Sequence, residues 1–263
     1  MISISSVQID VWITAFLWPF LRIVALMISD PLLGHRNVPI RVRIAFSFLL
    51  AVLVASTLPP PPPVGLSSPV GLMIAAQQII IGVAIGFSMR LLLASVEMAG
   101  SLIGLSMGLG FATFFDPQNS AQVPVVAQFV GLLSILIFFA SNGHLMLVSA
   151  LVESFRVLPI SATPFAAGGF HALVLAGGQI FVIGVIMSLP VLAALLIVNV
   201  GMGVMSRAAP QLNLFAVGFP VTLFAGFVVL LMSLPYLAPH FLRLYEEGIV
   251  FALKMVGALA GAR

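Results

Sequence analysis

The feature that most constrains this chain is a series of long apolar segments that are almost free of charge. One of them, residues 172–200, contains no charged side chain. Others cover residues 11–29, 40–58, 71–90, 125–140 and 214–234. A helix of about 20 apolar residues crosses the ~30 Å hydrocarbon core of a bilayer. Charged residues make up 6% of the chain, against about 25% in soluble domains. The sequence therefore predicts an all-α membrane protein, organised as one domain over residues 1–263.

The composition also excludes several kinds of chemistry. Cysteine is absent, so the chain has no disulfide, no thiolate nucleophile and no cysteine-based metal site. The net charge of +3 is too small to indicate a nucleic-acid partner, and the basic residues serve as topology markers. The histidines are too scattered for metal-ligand spacing; they are His35, His144, His171 and His240. We therefore expect no catalytic residues, no metal and no cofactor.

Glycines recur at four-residue spacing in two places. Gly82 and Gly86 form one pair, and Gly100, Gly104 and Gly108 form a longer row. On a helix such residues share one face, where a second helix can approach closely because no side chain intervenes. We expect both sets to be helix-packing positions.

The row of glycines leads into an aromatic and polar break. Its distinctive residues are Phe111, Phe114, Phe115, Asp116 and Pro117. The proline turns the residue before it away from helical dihedral angles. Non-helical backbone at membrane depth persists only where protein covers it or where it lines a cavity. The phenylalanines have two interpretations from spacing alone: ordinary packing against lipid or core, or a hydrophobic constriction that excludes water and ions.

The positions of the basic residues give a number of membrane crossings that disagrees with the number of apolar segments. The basic stretch at residues 35–43 should remain in the cytoplasm, which places the N-terminus outside, and the proline run at residues 59–63 forms a stiff outer connector. The cations at Arg207 and Lys254 should also be cytoplasmic. Residues 90–142 can then make only one net crossing, although they hold two segments of spanning length. We expect a re-entrant hairpin there, or helices that do not lie as ordinary spans.

Prolines and glycines predict where the helices end. Pro190 is expected to kink the segment at residues 172–200. A turn is expected over residues 201–211, followed by a helix that is broken at Pro220 and ends at Pro235. Gly143 is expected to take the left-handed position after a helix that ends near His144.

Three isolated polar residues need an explanation, and two of them, Glu97 and Ser106, suggest alternative functions. Arg22 lies within an apolar segment and needs a partner, for which Asp10 and Asp30 are candidates. Glu97 is the only acid well inside an apolar segment and gives weak support to a secondary transporter. Ser106 stands in a formal G-x-S-x-G pattern, as in an intramembrane serine protease, but the nucleophile elbow needs a strand before it. The sequence favours a small residue at a helix contact.

One long motif resembles a known family. Residues 205–220, MSRAAPQLNLFAVGFP, resemble the signature of FliR, the R subunit of the flagellar type III export gate. The resemblance extends to residues 110–112 and 116–117, to 142–144 and to 158–159. Virulence-type secretion systems carry a related subunit, which is the alternative, but FAVGFP at residues 215–220 is more similar to the flagellar branch.

The resemblance implies a fold and a role that composition could not give. It implies long kinked helices and helical hairpins, like a fusion of the companion subunits FliP and FliQ, in a helically arranged, closed assembly in the bacterial inner membrane at the flagellar basal body. It also implies contact with FlhB, FlhA and membrane lipid, and export of unfolded flagellar proteins by a non-enzymatic channel. Residues 111–123 correspond to a plug, with Phe111, Phe114, Phe115, Asp116 and Pro117 as its candidates. The partner-contact turn corresponds to Arg207, Pro210, Gln211, Asn213, Gly218 and Pro220.

Overall fold

The fold is entirely helical over the residues that the structure, a computed structural model, describes: 6–35, 37–111, 124–166, 168–209 and 214–261. The helices are α1 (Ser6–Ser29), α2 (Ile40–Ala55), α3 (Pro69–Ser106), α4 (Val125–Ala140), α5 (Gly143–Val157), α6 (Gly168–Ala208) and α7 (Leu214–Leu259), with a short 3-10 turn at Leu109–Phe111. The predicted all-α membrane fold is confirmed.

Within these described ranges, four helices are long and apolar enough to cross a membrane: α1, α3, α6 and α7. The pair α4 and α5 adds a fifth candidate, bent by 71° at the break between them. Such a bend fits a broken span or a re-entrant hairpin. By contrast, α2 has 16 residues. That length gives about 24 Å, which is short of the ~30 Å core. The expected crossing by residues 40–58 is therefore not supported.

The chain divides into two compact units, and the first contains residues 1–91, 142–177 and 245–263. Its core includes Trp18, Ile23 and Leu26 of α1, together with Ile81 and Ile85 of α3. A ring cluster of Phe16, Phe20 and Phe48 joins α1 to α2, with centroid distances of 5.0 to 6.5 Å. This unit holds the N-terminal half of α3 against α1.

The second unit contains residues 92–141 and 178–244. It combines the C-terminal part of α3 with α4, the middle of α6 and the first part of α7. Its buried residues include Val126, Ala127 and Val130 of α4, and Leu230 of α7. This unit holds both helices that flank the predicted plug.

Helices α6 and α7 are longer than the sequence predicted. The expected turn over residues 201–211 is wrong up to Ala208, because α6 continues to that residue. Likewise α7 runs through Pro220, Pro235 and Pro239 without ending. Apolar helices tolerate interior prolines when hydroxyl groups and packing satisfy nearby carbonyls. Thr222 donates to the Gly218 carbonyl at 3.1 Å, and Ser233 donates to the Val229 carbonyl at 2.7 Å.

The corner between α4 and α5 differs in detail from the prediction. Asn142 takes the left-handed conformation, with φ of 60° and ψ of 25°, and Gly143 is the first residue of α5. His144 therefore lies in the first turn of a helix and does not end one. Asparagine tolerates positive φ better than most residues, because its short polar side chain can hydrogen-bond locally. The corner was therefore predicted at the right place, but Gly143 was the wrong residue for the left-handed position.

Candidate functional site

The predicted plug is described only at its two flanks. Residues 112–123, and with them Phe114, Phe115, Asp116 and Pro117, lie outside the described residues, as does the side chain of Phe111. The described flanks are the C-terminal end of α3 with its 3-10 turn, and the start of α4 at Val125. The site is therefore built from the helical hairpin that carries the plug segment.

The two helices of this hairpin come closest at Gly100. A Cβ atom added to Gly100 would lie 2.5 Å from the Ala127 Cα and 2.9 Å from the Ala127 nitrogen. Side chains cannot occupy that space, so the two backbones pack directly against each other. At Gly104 an added Cβ would lie 3.5 Å from the Val126 side chain, which is ordinary contact. The spacing between the helices is thus less tight toward the connecting segment.

Gly108 ends the helix and does not extend the glycine row. Its φ of 85° is a conformation that favours glycine. The Gly108 N–H donates to the Leu105 carbonyl at 3.0 Å, as expected where a left-handed residue terminates a helix. The chain then enters the 3-10 turn at Leu109–Phe111. Gly108 is the point at which the backbone leaves α3 and turns toward the plug segment.

The end of α3 is also fixed against α7. Met107 is fully buried. A Cβ atom added to Gly226 of α7 would lie 2.5 Å from the Met107 Cγ and 2.9 Å from its sulfur. The Met107 side chain fits against α7 because residue 226 is a glycine. The base of the hairpin is therefore packed on two sides, against α4 and against α7.

The earlier glycine pair packs α3 against α1 in the first unit. A Cβ atom on Gly82 would collide with the Arg22 carbonyl oxygen and lie 2.8 Å from the Ala25 Cβ. A Cβ atom on Gly86 would collide with the Ser29 hydroxyl. Both positions leave no room for a side chain, so α1 and α3 lie in direct contact.

Arg22 is fully buried beside this contact. Its Nε donates to the Gln78 Oε1 at 2.8 Å, Nη1 donates to the Ser154 carbonyl at 3.0 Å, and Nη2 donates to the Leu158 carbonyl at 3.0 Å. The guanidinium carbon lies 4.0 Å from the centre of the Phe155 ring.

These carbonyls belong to the C-terminal end of α5, which carries the partial negative charge of the helix dipole. The arginine is compensated by this helix end and by the Phe155 ring. Asp30, one of the two expected partners, does not pair with it, and the side chain of Asp10 lies outside the described part of the chain.

The predicted partner-contact turn is only partly described. Arg207 lies in the last turn of α6, where a cation suits the helix dipole, and its side chain is exposed. Gly218 is half-buried and Pro220 is exposed near the start of α7. Pro210, Gln211 and Asn213 lie outside the described residues. The described members leave an exposed surface at the junction of α6 and α7.

The enzyme and transporter alternatives gain no geometric support. Ser106 is the last residue of α3, and no strand precedes it in the described part of the chain, so a nucleophile elbow is not built there. Glu97 is half-buried and packs toward Gly131 of α4. No group of three or more His, Asp or Glu side chains among the described residues could hold a metal ion.

Comparison with known proteins now gives the class. The family described as "Bacterial export proteins, family 1" matches residues 13–248. The chain is 43% identical to the flagellar biosynthetic protein FliR of Pectobacterium carotovorum subsp. carotovorum, over 94% of both chains. It is 40% identical to FliR of Escherichia coli strain K12, again over 94% of both chains. It is 34% identical to FliR of Bacillus subtilis strain 168, over 84% of this chain and 86% of that one.

A multi-pass helical membrane protein matched over most of its length in this way belongs to the bacterial export proteins, family 1. Its high-coverage relatives place it within that class in the FliR family. The chain is a subunit of the flagellar type III export gate, which decides between the flagellar and virulence alternatives in favour of the first.

Proposed function

We propose that this subunit helps to close a channel for unfolded flagellar proteins, and that residues 111–123 form the plug. The observation that carries the proposal is the hairpin of α3 and α4, with its closest approach at Gly100 and Ala127. A segment held between two tightly packed helices can be positioned reproducibly in a channel. Phenylalanine side chains there would exclude water and ions until a substrate displaces them.

The chain performs this role in company with other subunits. FliP and FliQ complete the channel, FlhB wraps it from the cytoplasmic side, and FlhA forms the ring below. The assembly lies in the bacterial inner membrane at the flagellar basal body. In this proposal residues 1–263 act as a single gate domain that resembles a fused FliP and FliQ, and the protein performs no catalysis of its own.

The exposed surfaces of α6 and α7 support this assembly. Only 28% of the most apolar window of α6 and 11% of that of α7 is buried within the chain, against 56% for α3. Exposed members include Val174, Phe181, Ile197, Phe224 and Leu231. Surface of this extent must meet lipid or companion helices. We assign the junction of α6 and α7, near Arg207 and Pro220, to a companion subunit.

Affinity purification in mild detergent tests the assembly. The tagged full chain should co-purify with FliP and FliQ and be required for secretion of flagellar substrates. Gly218→Trp at the junction of α6 and α7 should reduce co-purification, whereas Gly177→Trp, where no atom lies within 4 Å of an added Cβ, serves as a matched control. A wild-type chain that purifies alone under the same conditions would refute the proposed assembly.

A further inference from the structure

The second unit contains a cavity that the gate function does not use. Its volume is about 300 Å³, and it lies between α3, α4, α6 and α7. Its floor is apolar and buried, and is formed by Ala99, Ile103, Val130, Met187, Val191 and Leu230. The volume falls at the lower end of the range seen for small-molecule sites.

The cavity opens to the surface between α6 and α7. On α6 its rim is apolar, with Ile186 and Pro190 exposed. On α7 its rim is polar, with Tyr236 and His240 exposed. The opening thus presents an apolar side and a hydrogen-bonding side to any molecule that enters it.

The polar rim continues along one face of α7. Ser233, Tyr236, His240 and Arg243 follow one another at spacings of three, four and three residues, which keeps them on a common face. Arg243 is exposed. The distance along the helix from the buried Leu230 to Arg243 is about 20 Å. A gradient therefore runs from a buried hydrocarbon-like floor to an exposed cation.

This gradient matches the boundary between hydrocarbon and headgroups in a membrane. The part of α7 before Pro235 is apolar, and His240 and Arg243 are the first basic residues of this helix. Tyrosine, and long cationic side chains that extend toward water, are typical of that boundary. Glu246 and Glu247 lie one turn further on, but no ion pair joins either of them to Arg243 in the described part of the chain.

We propose that this cavity binds one acyl chain of a phospholipid whose anionic headgroup lies against His240 and Arg243. An acyl chain carries no hydrogen-bonding groups, so an apolar floor is sufficient for it. A peptide segment would leave backbone groups unsatisfied in the same floor, because each buried N–H or C=O needs a partner. Of the two hydroxyl groups in the lining, the one on Ser233 already donates to the Val229 carbonyl at 2.7 Å, and the one on Tyr236 belongs to an exposed residue of the rim.

Native mass spectrometry of the purified full chain tests the proposal. The probes are phosphatidylglycerol and phosphatidylcholine with identical acyl chains, titrated separately. We expect saturable binding of one phosphatidylglycerol molecule, with phosphatidylcholine bound more weakly. Arg243→Gln should reduce that preference about five-fold, as expected for one cation at a membrane surface. Arg41→Gln, an exposed arginine on α2, is the matched control and should leave the preference unchanged.

A second variant tests the cavity floor. Ala99→Leu places additional carbon atoms in the space and should weaken binding of both lipids several-fold while the preference between them persists. Equal affinity for the two lipids, or a preference insensitive to Arg243→Gln, would overturn the headgroup assignment and with it the proposal. Lipid that binds the isolated chain but is absent from the assembled gate, with a companion helix cross-linking to residue 236, would also overturn it.

Discussion

At the residue scale, the most consequential side chain is Arg22. It is fully buried within the α1 span, and among the residues that the structure describes its acceptors are neutral: Gln78 and the end of α5. A buried cation is stable only when such partners are held in place, so Arg22 ties α1, α3 and α5 together. Losing it would take the arginine donor from the Gln78 Oε1 and the Leu158 carbonyl, whereas the Ser154 carbonyl would still accept from the Leu158 N–H at 3.0 Å.

Replacement of Arg22 should therefore destabilise the chain strongly. We expect Arg22→Ala to lower the free energy of unfolding by about 3 kcal/mol, because buried acceptors lose charge-assisted hydrogen bonds. Arg156→Ala is the control, since its pair with Glu153 at 3.3 Å is exposed; it should change stability by less than about 1 kcal/mol. The measurement is denaturant unfolding of the full chain in detergent. Similar losses for the two variants would contradict the assigned role.

Asp30 is expected to make the free energy of unfolding depend on pH. It directly follows the α1 span, and burial raises its pKa to about 7, while the backbone N–H groups of Leu33 and Leu32 oppose that shift. Its Oδ2 accepts from the Leu33 N–H at 2.6 Å, and Oδ1 has no partner among the described residues. The folded protein therefore binds a proton that the unfolded chain, with a pKa near 4, has already released.

The direction of the pH effect on stability follows from the difference between the folded and unfolded pKa values of Asp30. Stability should be highest below about pH 4 as far as Asp30 is concerned, and should fall by roughly 4 kcal/mol as the pH rises through about 7, because the folded and unfolded pKa values differ by about 3 units. Asp30→Asn should remove this contribution. Thermal melting of both proteins between pH 5 and pH 8 provides the measurement. Parallel melting curves across that range would show that Asp30 is ionised in the folded state.

At the element scale, the glycines of α3 are not equivalent. An added Cβ on Gly100 would lie 2.5 Å from backbone of α4, whereas one on Gly104 would make ordinary contact at 3.5 Å. Backbone cannot move aside as a flexible side chain can. The same chemical change at two positions one helical turn apart should therefore have opposite effects.

Alanine substitutions separate the two positions. Gly100→Ala should destabilise the chain by about 1–3 kcal/mol through overpacking. Gly104→Ala should be neutral, or stabilising by up to about 1 kcal/mol, because alanine favours helix. Melting temperatures in one detergent compare them directly. If Gly100→Ala leaves the melting temperature unchanged, the close approach of α3 and α4 is wrong. A larger substitution, Gly104→Leu, should prevent co-purification with companion subunits.

The helices could be predicted from the sequence, but not their lengths. The apolar runs predicted the bounds of α4 and the last residue of α1, whereas α3 continues beyond the predicted segment at residues 71–90 as far as Ser106. Pro220 and Pro235 suggested helix ends because proline ends helices in water, whereas α7 continues through both. The partners of Arg22 were also beyond prediction, since they lie 56, 132 and 136 residues away and include backbone carbonyls, which every residue carries. Tertiary packing decided the partners of Arg22, whereas hydroxyl groups near Pro220 and Pro235 bond to backbone carbonyls within α7 itself.

At the scale of the whole molecule, the chain is a multi-pass helical subunit of an export gate. The signature at residues 205–220 predicted its family, which the comparison with FliR proteins confirmed. The exposed apolar surfaces of α6 and α7 are what a chain built for an assembly would carry. The account rests on the claim that residues 111–123, carried by the hairpin of α3 and α4, close a shared channel.

Ion conductance of the purified gate in planar bilayers tests that claim most directly. Gates should be assembled with the wild-type chain, with residues 111–122 deleted, and with Arg156→Ala, an exposed residue of α5, as a control outside the plug. All should retain FliP and FliQ. We predict that the wild-type and control gates stay closed to ions and that the deletion conducts. A correctly assembled deletion gate that remains as tight as the wild type would contradict the account.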